Sequence, residues 1–172
     1  SYKDKDGNIV NPVIKVNQQF LESGITKEQL QANLTEEIIH HATVTTFSNY
    51  INFTGIDSAG KITYEKNKDS EGNEVIIPSE ILTLIKVYQE AFDTIARKQG
   101  LEVLLANINK TKSDITENKS VSLSLGDATD AYRVSNIHEF IAGVFLKNSD
   151  FAKEMANTKY LSSEKSILEK FT

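Results

Sequence analysis

The strongest constraint on the fold is a stripe of apolar residues between Pro78 and Gly100. Its members recur every three or four positions: Ile81, Leu84, Ile85, Tyr88, Phe92 and Ile95. Residues with this spacing share one face of an α-helix, and that face must be buried against other elements. Pro78 suits the start of such a helix and Gly100 suits its end. The pattern therefore predicts a helix over Ser79–Gln99. We expect it to pack against the long helix predicted before it, which contains His40 and His41.

The composition is typical of a globular protein with one domain. The chain has 172 residues, of which 39% are apolar and 25% are charged, and this length can bury a substantial core. No apolar run reaches the length of a membrane span and no signal peptide is visible, so we expect no membrane segment. The net charge of −5, without a cluster of basic side chains, disfavours nucleic acid as a partner. The lack of cysteine excludes disulfides, a thiol nucleophile and a thiolate zinc site.

The N-terminal stretch differs from the rest of the chain. It begins at Ser1 rather than Met and shows no apolar pattern, which indicates a piece of a longer polypeptide or a processed product. Ile9–Val16 is rich in β-branched residues and predicts a strand, and Pro12 favours an edge position because proline cannot donate to a ladder. We expect residues 1–24 to form an extension with this edge strand, residues 25–160 the main domain, and residues 161–172 a tail.

Two consecutive helices are predicted after the extension. Thr26 and Gln29 form a capping box that begins a short helix. Asn33 or Thr35 then caps a longer helix that continues to about Phe53.

A hairpin and a shorter helix are predicted around the apolar stripe. Lys61–Glu65 and Glu74–Ile77 have the composition of two strands, with the polar segment Asn67–Asn73 as their turn. Leu101–Ile108 predicts a short helix, and Lys110–Ser124 is polar enough for a surface loop.

Three short helical segments are predicted in the last third of the chain. Asp127–Tyr132 suits a helical turn, and Ser135 or Asn136 suits the cap of a helix that runs to about Leu146. Phe151–Ala156 predicts a final helix. Together these elements indicate an α+β fold that is mostly helical, with a small β-sheet.

The histidines are the residues most suited to chemistry. Two of the three, His40 and His41, lie in the second predicted helix, where Glu36 and Glu37 fall in the first turn and favour the helix dipole. Residues four apart share a helix face, so His40 belongs to a mostly apolar stripe with Val44, Phe47 and Ile51. His41 belongs to a polar stripe with Thr45, Ser48 and Asn52. We therefore expect His40 to face the interior, as a ligand or as a core-edge histidine with one hydrogen bond, and His41 to face solvent or a cleft.

The histidine helix can be compared with the spacing that a zinc peptidase requires. Two histidines at i and i+4 reach one metal, and a glutamate at i+1 acts as the general base. With His40 as the first ligand, His41 stands at the general-base position and Val44 at the second ligand position. Valine cannot bind zinc, and histidine lacks the charge of the carboxylate.

Two segments carry a resemblance to a known family. Ile38-Ile-His-His-Ala-Thr-Val-Thr-Thr-Phe47 resembles the active-site helix of zincin-like metallopeptidase domains in very large phage and mobile-element polyproteins, which reads like Leu-Leu-His-Glu-x-x-His-Ala-x-Thr. Tyr132-Arg-Val-Ser-Asn-Ile-His-Glu-Phe-Ile-Ala-Gly-Val-Phe145 resembles the family's Tyr-x-x-Thr-Asn-x-x-Glu-Phe-x-Ala-Glu-x-Phe. An Asn-Pro-x-Phe step follows there, and Asn148-Ser-Asp-Phe151 follows here.

The resemblance implies a zincin-like, metallopeptidase-type fold for residues 25–160, with the N-terminal strand along a cleft. It places Glu139 where the family carries a glutamate suited to be the third metal ligand, and it places Gly143 where the family has a second glutamate. The remnant ligand positions are then His40 and Glu139. His41 or His138 could complete a rebuilt site.

Three functions follow from these features. The first is a catalytically inactive zincin-like domain of a phage virion-associated protein, either cargo, ejected or structural. It would need no cofactor and would act through contacts with other virion or phage proteins, in the virion or the host cytoplasm. The second is a zinc metallopeptidase with an unusual ligand set that processes a polyprotein. The third is a binding module that docks onto a portal, tail or partner protein. Whether the chain is an enzyme stays open, and nothing in the sequence indicates its oligomeric state.

Overall fold

The structure is a computed structural model that describes residues 2–3, 9–10, 24–116, 127–145 and 150–157. It confirms the α+β class, mostly helical with small antiparallel sheets. The elements in chain order are β1 (Tyr2–Lys3), β2 (Ile9–Val10), α1 (Lys27–Phe47), β3 (Ile51–Ile56), β4 (Ile62–Lys66), α2 (Ser79–Gln99), α3 (Leu101–Thr116), α4 (Asp127–Arg133), α5 (Ile137–Phe145) and α6 (Asp150–Asn157).

Helix α2 is the centre of the core, as its apolar stripe predicted. The side chains of Tyr88 and Phe92 are fully buried. The Tyr88 hydroxyl donates a hydrogen bond of 2.8 Å to the Val134 carbonyl, and its ring packs on Phe140 with the ring centroids 5.4 Å apart. Gly100 ends the helix with φ +90°, a backbone conformation that glycine adopts readily. These contacts tie α2 to α5 and to the turn that precedes α5.

Helix α1 is continuous, so the prediction of two helices is wrong. Thr26 and Gln29 do form the capping box at its start. Thr35 lies within the helix, where its hydroxyl donates to the Gln31 carbonyl over 2.8 Å. A threonine that satisfies its hydroxyl in this way needs no helix break, and no second cap forms at this position.

The end of α1 and the pairing of the hairpin also differ from the prediction. The helix ends at Phe47 rather than Phe53, because Ile51–Ile56 forms β3, which pairs antiparallel with β4. A short β-branched and aromatic run is ambiguous between helix and strand. The Asp57 carboxylate accepts hydrogen bonds from the Ala59 and Lys61 backbone N–H groups, at 2.9 and 2.8 Å. This side-chain-stabilised turn closes the β3–β4 hairpin.

The strand predicted at Lys61–Glu65 is confirmed as β4. The prediction that Glu74–Ile77 is its partner strand is wrong, because β4 pairs with β3. Glu74 makes an isolated bridge with Lys68, and the segment between them turns as predicted.

Helix α3 continues to Thr116, so the prediction of a loop over Lys110–Ser124 is wrong for its first part. The Thr111 hydroxyl donates to the Asn107 carbonyl over 2.9 Å, which accommodates a polar residue inside the helix.

The helices α4, α5 and α6 form where they are predicted. Asn136 is the cap of α5, since its side-chain oxygen accepts hydrogen bonds from the backbone N–H groups of His138 and Glu139, at 2.9 and 3.0 Å. In the N-terminal extension, β2 covers Ile9–Val10 and pairs with β1. The rest of the predicted edge strand and the tail from 161 lie outside the described residues. None of the described helices has both the length and the apolar character for a membrane crossing. The domain boundaries stay a prediction.

Candidate functional site

A cluster of charged side chains lies where helices α1, α4 and α5 meet. Helix α1 contributes Glu36 and His40, α4 contributes Arg133, and α5 contributes Glu139 in its first turn. All four side chains are largely buried, with between 11% and 19% of each exposed. Buried charges are costly unless they are paired, so the contacts among these groups determine what the cluster can do.

The two residues that the resemblance selected do come together. The His40 Nε2 atom lies 3.2 Å from a carboxylate oxygen of Glu139, Oε2. Both atoms are buried, and neither completes a hydrogen bond of good geometry. Contact with the Glu139 carboxylate nevertheless raises the pKa of His40, against the opposing effect of desolvation. The pair is therefore an ion pair when His40 is protonated.

Arg133 supplies a fixed positive charge to this cluster. Its guanidinium donates a short hydrogen bond to the Glu36 carboxylate, and the same nitrogen lies 3.8 Å from the Glu139 carboxylate. Two carboxylates and one guanidinium leave a net charge of −1, which protonated His40 would cancel. The arginine thus stands between the two carboxylates, in a place that a metal cation would otherwise suit.

Gly143 makes room for Arg133. It lies one turn after Glu139 on α5 and is buried. A Cβ atom at Gly143 would come within 2.7 Å of the Arg133 Cδ and within 3.1 Å of a ring carbon of Phe151. A glycine at this position therefore allows the aliphatic part of the arginine to cross α5. Glycine at this position therefore has a steric reason in this chain.

Tyr132 orients the Glu139 carboxylate. Its side chain forms a hydrogen bond with Glu139. Burial raises the pKa of Tyr132, and the nearby negative charge of Glu139 raises it further. The phenol is therefore neutral and acts as a donor. The Arg133 guanidinium carbon lies 5.3 Å from the centre of the Tyr132 ring, within the range of a cation–π contact.

The helix partner of His40 in this cluster is Glu36, one turn before it. Among the described residues, a group suited to holding a metal ion consists of Glu36, His40 and Glu139, whose ligand atoms all lie within 4.8 Å of one another. Val44, one turn after His40, is 47% exposed. The residue that follows Glu36 is Glu37, which is exposed. Glu36, Glu37 and His40 therefore have the spacing of the zinc-peptidase pattern, namely a ligand, a glutamate, two further residues and a histidine. This pattern begins one turn earlier than the sequence analysis suggested, and a glutamate takes the place of its first histidine.

The inward face of α1 consequently differs from the predicted apolar stripe. Phe47 is buried as expected, but Val44 faces outward and Ile51 belongs to β3. His41 lies off the cluster, with its Nε2 atom 3.5 Å from the Thr45 hydroxyl. Sequence reasoning missed Glu36 because it looked for a second histidine. The available signal was an acidic residue four positions before His40.

His138 lies beside the cluster. Its Nδ1 atom is 3.1 Å from the Thr43 hydroxyl, and its ring meets Phe47 edge-on with the centroids 5.8 Å apart. Burial lowers the pKa of His138, and the positive charge of His40 adds to this effect. His138 therefore favours the neutral form and packs at the α1–α5 contact.

The raised pKa of His40 predicts a specific dependence of stability on pH. Because the folded-state pKa lies above the ordinary value of 6.5, the His40 contribution to stability is complete below pH 6.5 and is lost as the pH rises through the folded-state pKa. We expect the difference in the free energy of unfolding between the wild type and His40→Gln to shrink over that rise. Urea denaturation across the range measures it. His138→Gln is the control, because its lowered pKa changes stability below pH 6.5 and its difference should stay nearly constant above that pH. A flat difference for His40→Gln over the same range would contradict the ion pair.

The contact between Gly143 and Arg133 predicts non-additive effects in a double-mutant cycle. Gly143→Ala alone should destabilise the fold by about 1–3 kcal/mol, because the added methyl group overpacks against the arginine. In an Arg133→Ala background the clash with the arginine is absent, and alanine favours a helix interior by about 1 kcal/mol over glycine. The approach to the Phe151 ring at 3.1 Å remains, so Gly143→Ala should then cost clearly less than in the wild type. Additive effects of the two substitutions, measured by denaturant unfolding, would argue against the steric role of Gly143.

Comparisons with known proteins give no match. No family model matches the chain, and no match is found among curated proteins or solved structures. The zincin-like resemblance therefore stays a prediction, and the cluster itself carries the inference of function.

Proposed function

We propose that the chain is a zincin-like domain without zinc-peptidase activity that acts through contacts with other proteins. The observation that carries the proposal is the position of Arg133, whose guanidinium contacts Glu36 and lies beside Glu139. A peptidase metal needs these carboxylates as ligands. A guanidinium held beside them offsets part of the charge that would attract the metal, and its hydrogen bond to Glu36 uses a lone pair that the metal would need.

The ligand set itself also disfavours peptidase chemistry. A bound zinc ion acidifies water and polarises a carbonyl through its positive charge. Glu36 and Glu139 would bring two carboxylates to the metal with one imidazole, whereas zinc peptidases such as thermolysin use two histidines and one glutamate. The additional negative charge reduces the electrostatic pull that the chemistry requires.

The partners and location follow from the resemblance of the two motif segments. Zincin-like domains of this kind occur in large phage polyproteins, so we propose other virion or phage proteins as partners, in the virion or the host cytoplasm. This role requires no cofactor. A domain whose charged cluster is neutralised internally can still present its helices to a partner.

A second candidate is a metallopeptidase with the ligands Glu36, His40 and Glu139. The convergence of these three groups within 4.8 Å favours it, as do the buried His40 and Glu139 atoms that lack a hydrogen bond. One imidazole nitrogen and two carboxylate oxygens are acceptable donors for zinc. Glu37, one position after Glu36, would be the general base in a polyprotein-processing reaction.

Proteolysis by the purified chain distinguishes the two candidates. We expect no cleavage of an unfolded protein substrate in the presence of zinc, above the level of a His40→Ala control, because the Arg133 guanidinium is paired with Glu36 and lies beside Glu139. Mass spectrometry of the substrate after long incubation provides the readout. Cleavage that is abolished by a chelator and by Glu37→Gln would overturn the proposal and support the metallopeptidase.

The contact function predicts that the chain is held in assembled particles. Chemical crosslinking of intact phage particles, followed by mass spectrometry, should join surface lysines of this chain, such as Lys27 and Lys86, to other virion proteins. The same treatment of disrupted particles serves as the control and should lose these crosslinks. Absence of the chain from purified particles would contradict this part of the proposal.

A further inference from the structure

We propose that Arg133 blocks a site for a first-row divalent transition metal formed by Glu36, His40 and Glu139, and that displacing the arginine opens it. The inference rests on the proposed function in one respect, since both proposals hold that the Arg133 guanidinium lies where a metal ion would bind. It goes further by stating that the three ligands remain competent to bind metal.

The donor set defines the class of metal. Imidazole nitrogen suits zinc, cobalt and related ions, whereas calcium and magnesium favour sites made of oxygen ligands. Glu36 and His40 are four residues apart on α1 and present their side chains on one face. Glu139 approaches from α5, so two elements that already pack together hold the ligands within 4.8 Å of one another.

Two ligand atoms of this group are buried and lie close to each other. The His40 Nε2 atom and the Glu139 Oε2 atom are buried, and neither completes a hydrogen bond. The two atoms face each other at 3.2 Å as an ion pair, but without a hydrogen bond of good geometry the cost of burying them is only partly offset. A metal bound between them would satisfy both atoms at once.

The surroundings of the ligands suit a metal once the arginine is removed. The hydrogen bond from Tyr132 to Glu139 orients the carboxylate, in the manner of the groups that hold metal ligands in place. Gly143 adds no side chain to the space that the arginine stem leaves.

Arg133 competes with a metal through charge and position. Its guanidinium contacts Glu36 directly and lies 3.8 Å from Glu139. A divalent ion at the same ligands would meet the positive guanidinium at short range in a largely buried site, where repulsion between like charges is strong. Metal binding to the wild type must therefore displace the arginine, and its affinity is reduced by that cost.

Metal titration of Arg133 variants tests the inference. We expect Arg133→Met to bind Co²⁺ or Zn²⁺ at least about tenfold more tightly than the wild type, corresponding to about 1.4 kcal/mol, in isothermal titration calorimetry. Methionine retains the apolar stem without the charge. Adding His40→Ala to this variant should abolish the gain, and the absorption spectrum of bound Co²⁺ should change with it.

Matched controls separate the blocking effect from a general change of charge. Lys98→Met removes another cation, one that is paired with Asp130 and Glu154, and should leave the metal affinity at the wild-type value. Arg133→Lys keeps the positive charge and should not gain affinity. Arg133→Gln is the second variant if the methionine variant fails to fold, as judged by circular dichroism.

The inference is overturned if neither neutral variant binds metal more tightly than the wild type, or if the gain survives His40→Ala. It is also overturned if the lysine variant gains as much as the neutral ones. These results are independent of the peptidase test. Chelator-sensitive cleavage by the wild type would refute the proposed function and leave the comparison of affinities intact, and the reverse also holds.

Discussion

The position of helix α1 depends on the ionic contacts among Arg133, Glu36 and Glu139. Helix α1 has 21 residues, all described, yet Phe47 at its end is its one fully buried apolar residue. Apolar burial, which fixes α2, therefore cannot by itself fix how α1 lies on α5. The contacts of Glu36 and His40 with α4 and α5 provide further points of attachment. Since removal of one partner from a buried ion pair typically costs about 3–5 kcal/mol, these contacts are a large part of what holds α1 in place.

A cluster of this kind is an expensive way to hold a helix. Replacing a buried ion pair with apolar residues of similar volume is often neutral or stabilising, and a leucine at the position of His40 would meet the same packing need. The chain instead buries two carboxylates, a guanidinium and an imidazole around Glu139. The cost is understandable if the groups serve, or once served, the binding of a cation, with Arg133 supplying the positive charge.

The sequence predicted the parts of the fold that local patterns determine. Helix α2 has a continuous apolar stripe, and α5 has Asn136 as a cap, so both were found. Strand β3 was missed because Ile51–Ile56 is short and its composition suits either helix or strand until its pairing with β4 is known. The continuity of α1 was missed because a polar threonine inside a helix, Thr35, resembles a cap in sequence.

The candidate site could be predicted only in part, for a different reason. His40 and Glu139 were selected by resemblance to a motif, and the structure brings them together. Glu36 and Arg133 were not selected, since Arg133 lies 97 residues from Glu36 along the chain and a contact over that distance has no local signal. The choice of Val44 as the place of the missing ligand followed from treating His40 as the first histidine of the motif. In the structure His40 is instead the second member of a helix pair that begins at Glu36.

The competition between the arginine and a metal is set by concentration as well as by charge. A side chain tethered beside its partners acts at an effective concentration that is commonly in the millimolar range. A free metal ion at much lower concentration can displace the guanidinium only if its intrinsic affinity for the ligands is high. The negative charge of the second carboxylate, Glu36, would raise that affinity. If the proposed site binds metal, Arg133 makes its occupancy depend on the metal concentration. The same three ligands are therefore compatible with an internally neutralised domain at rest and with a metal-binding one.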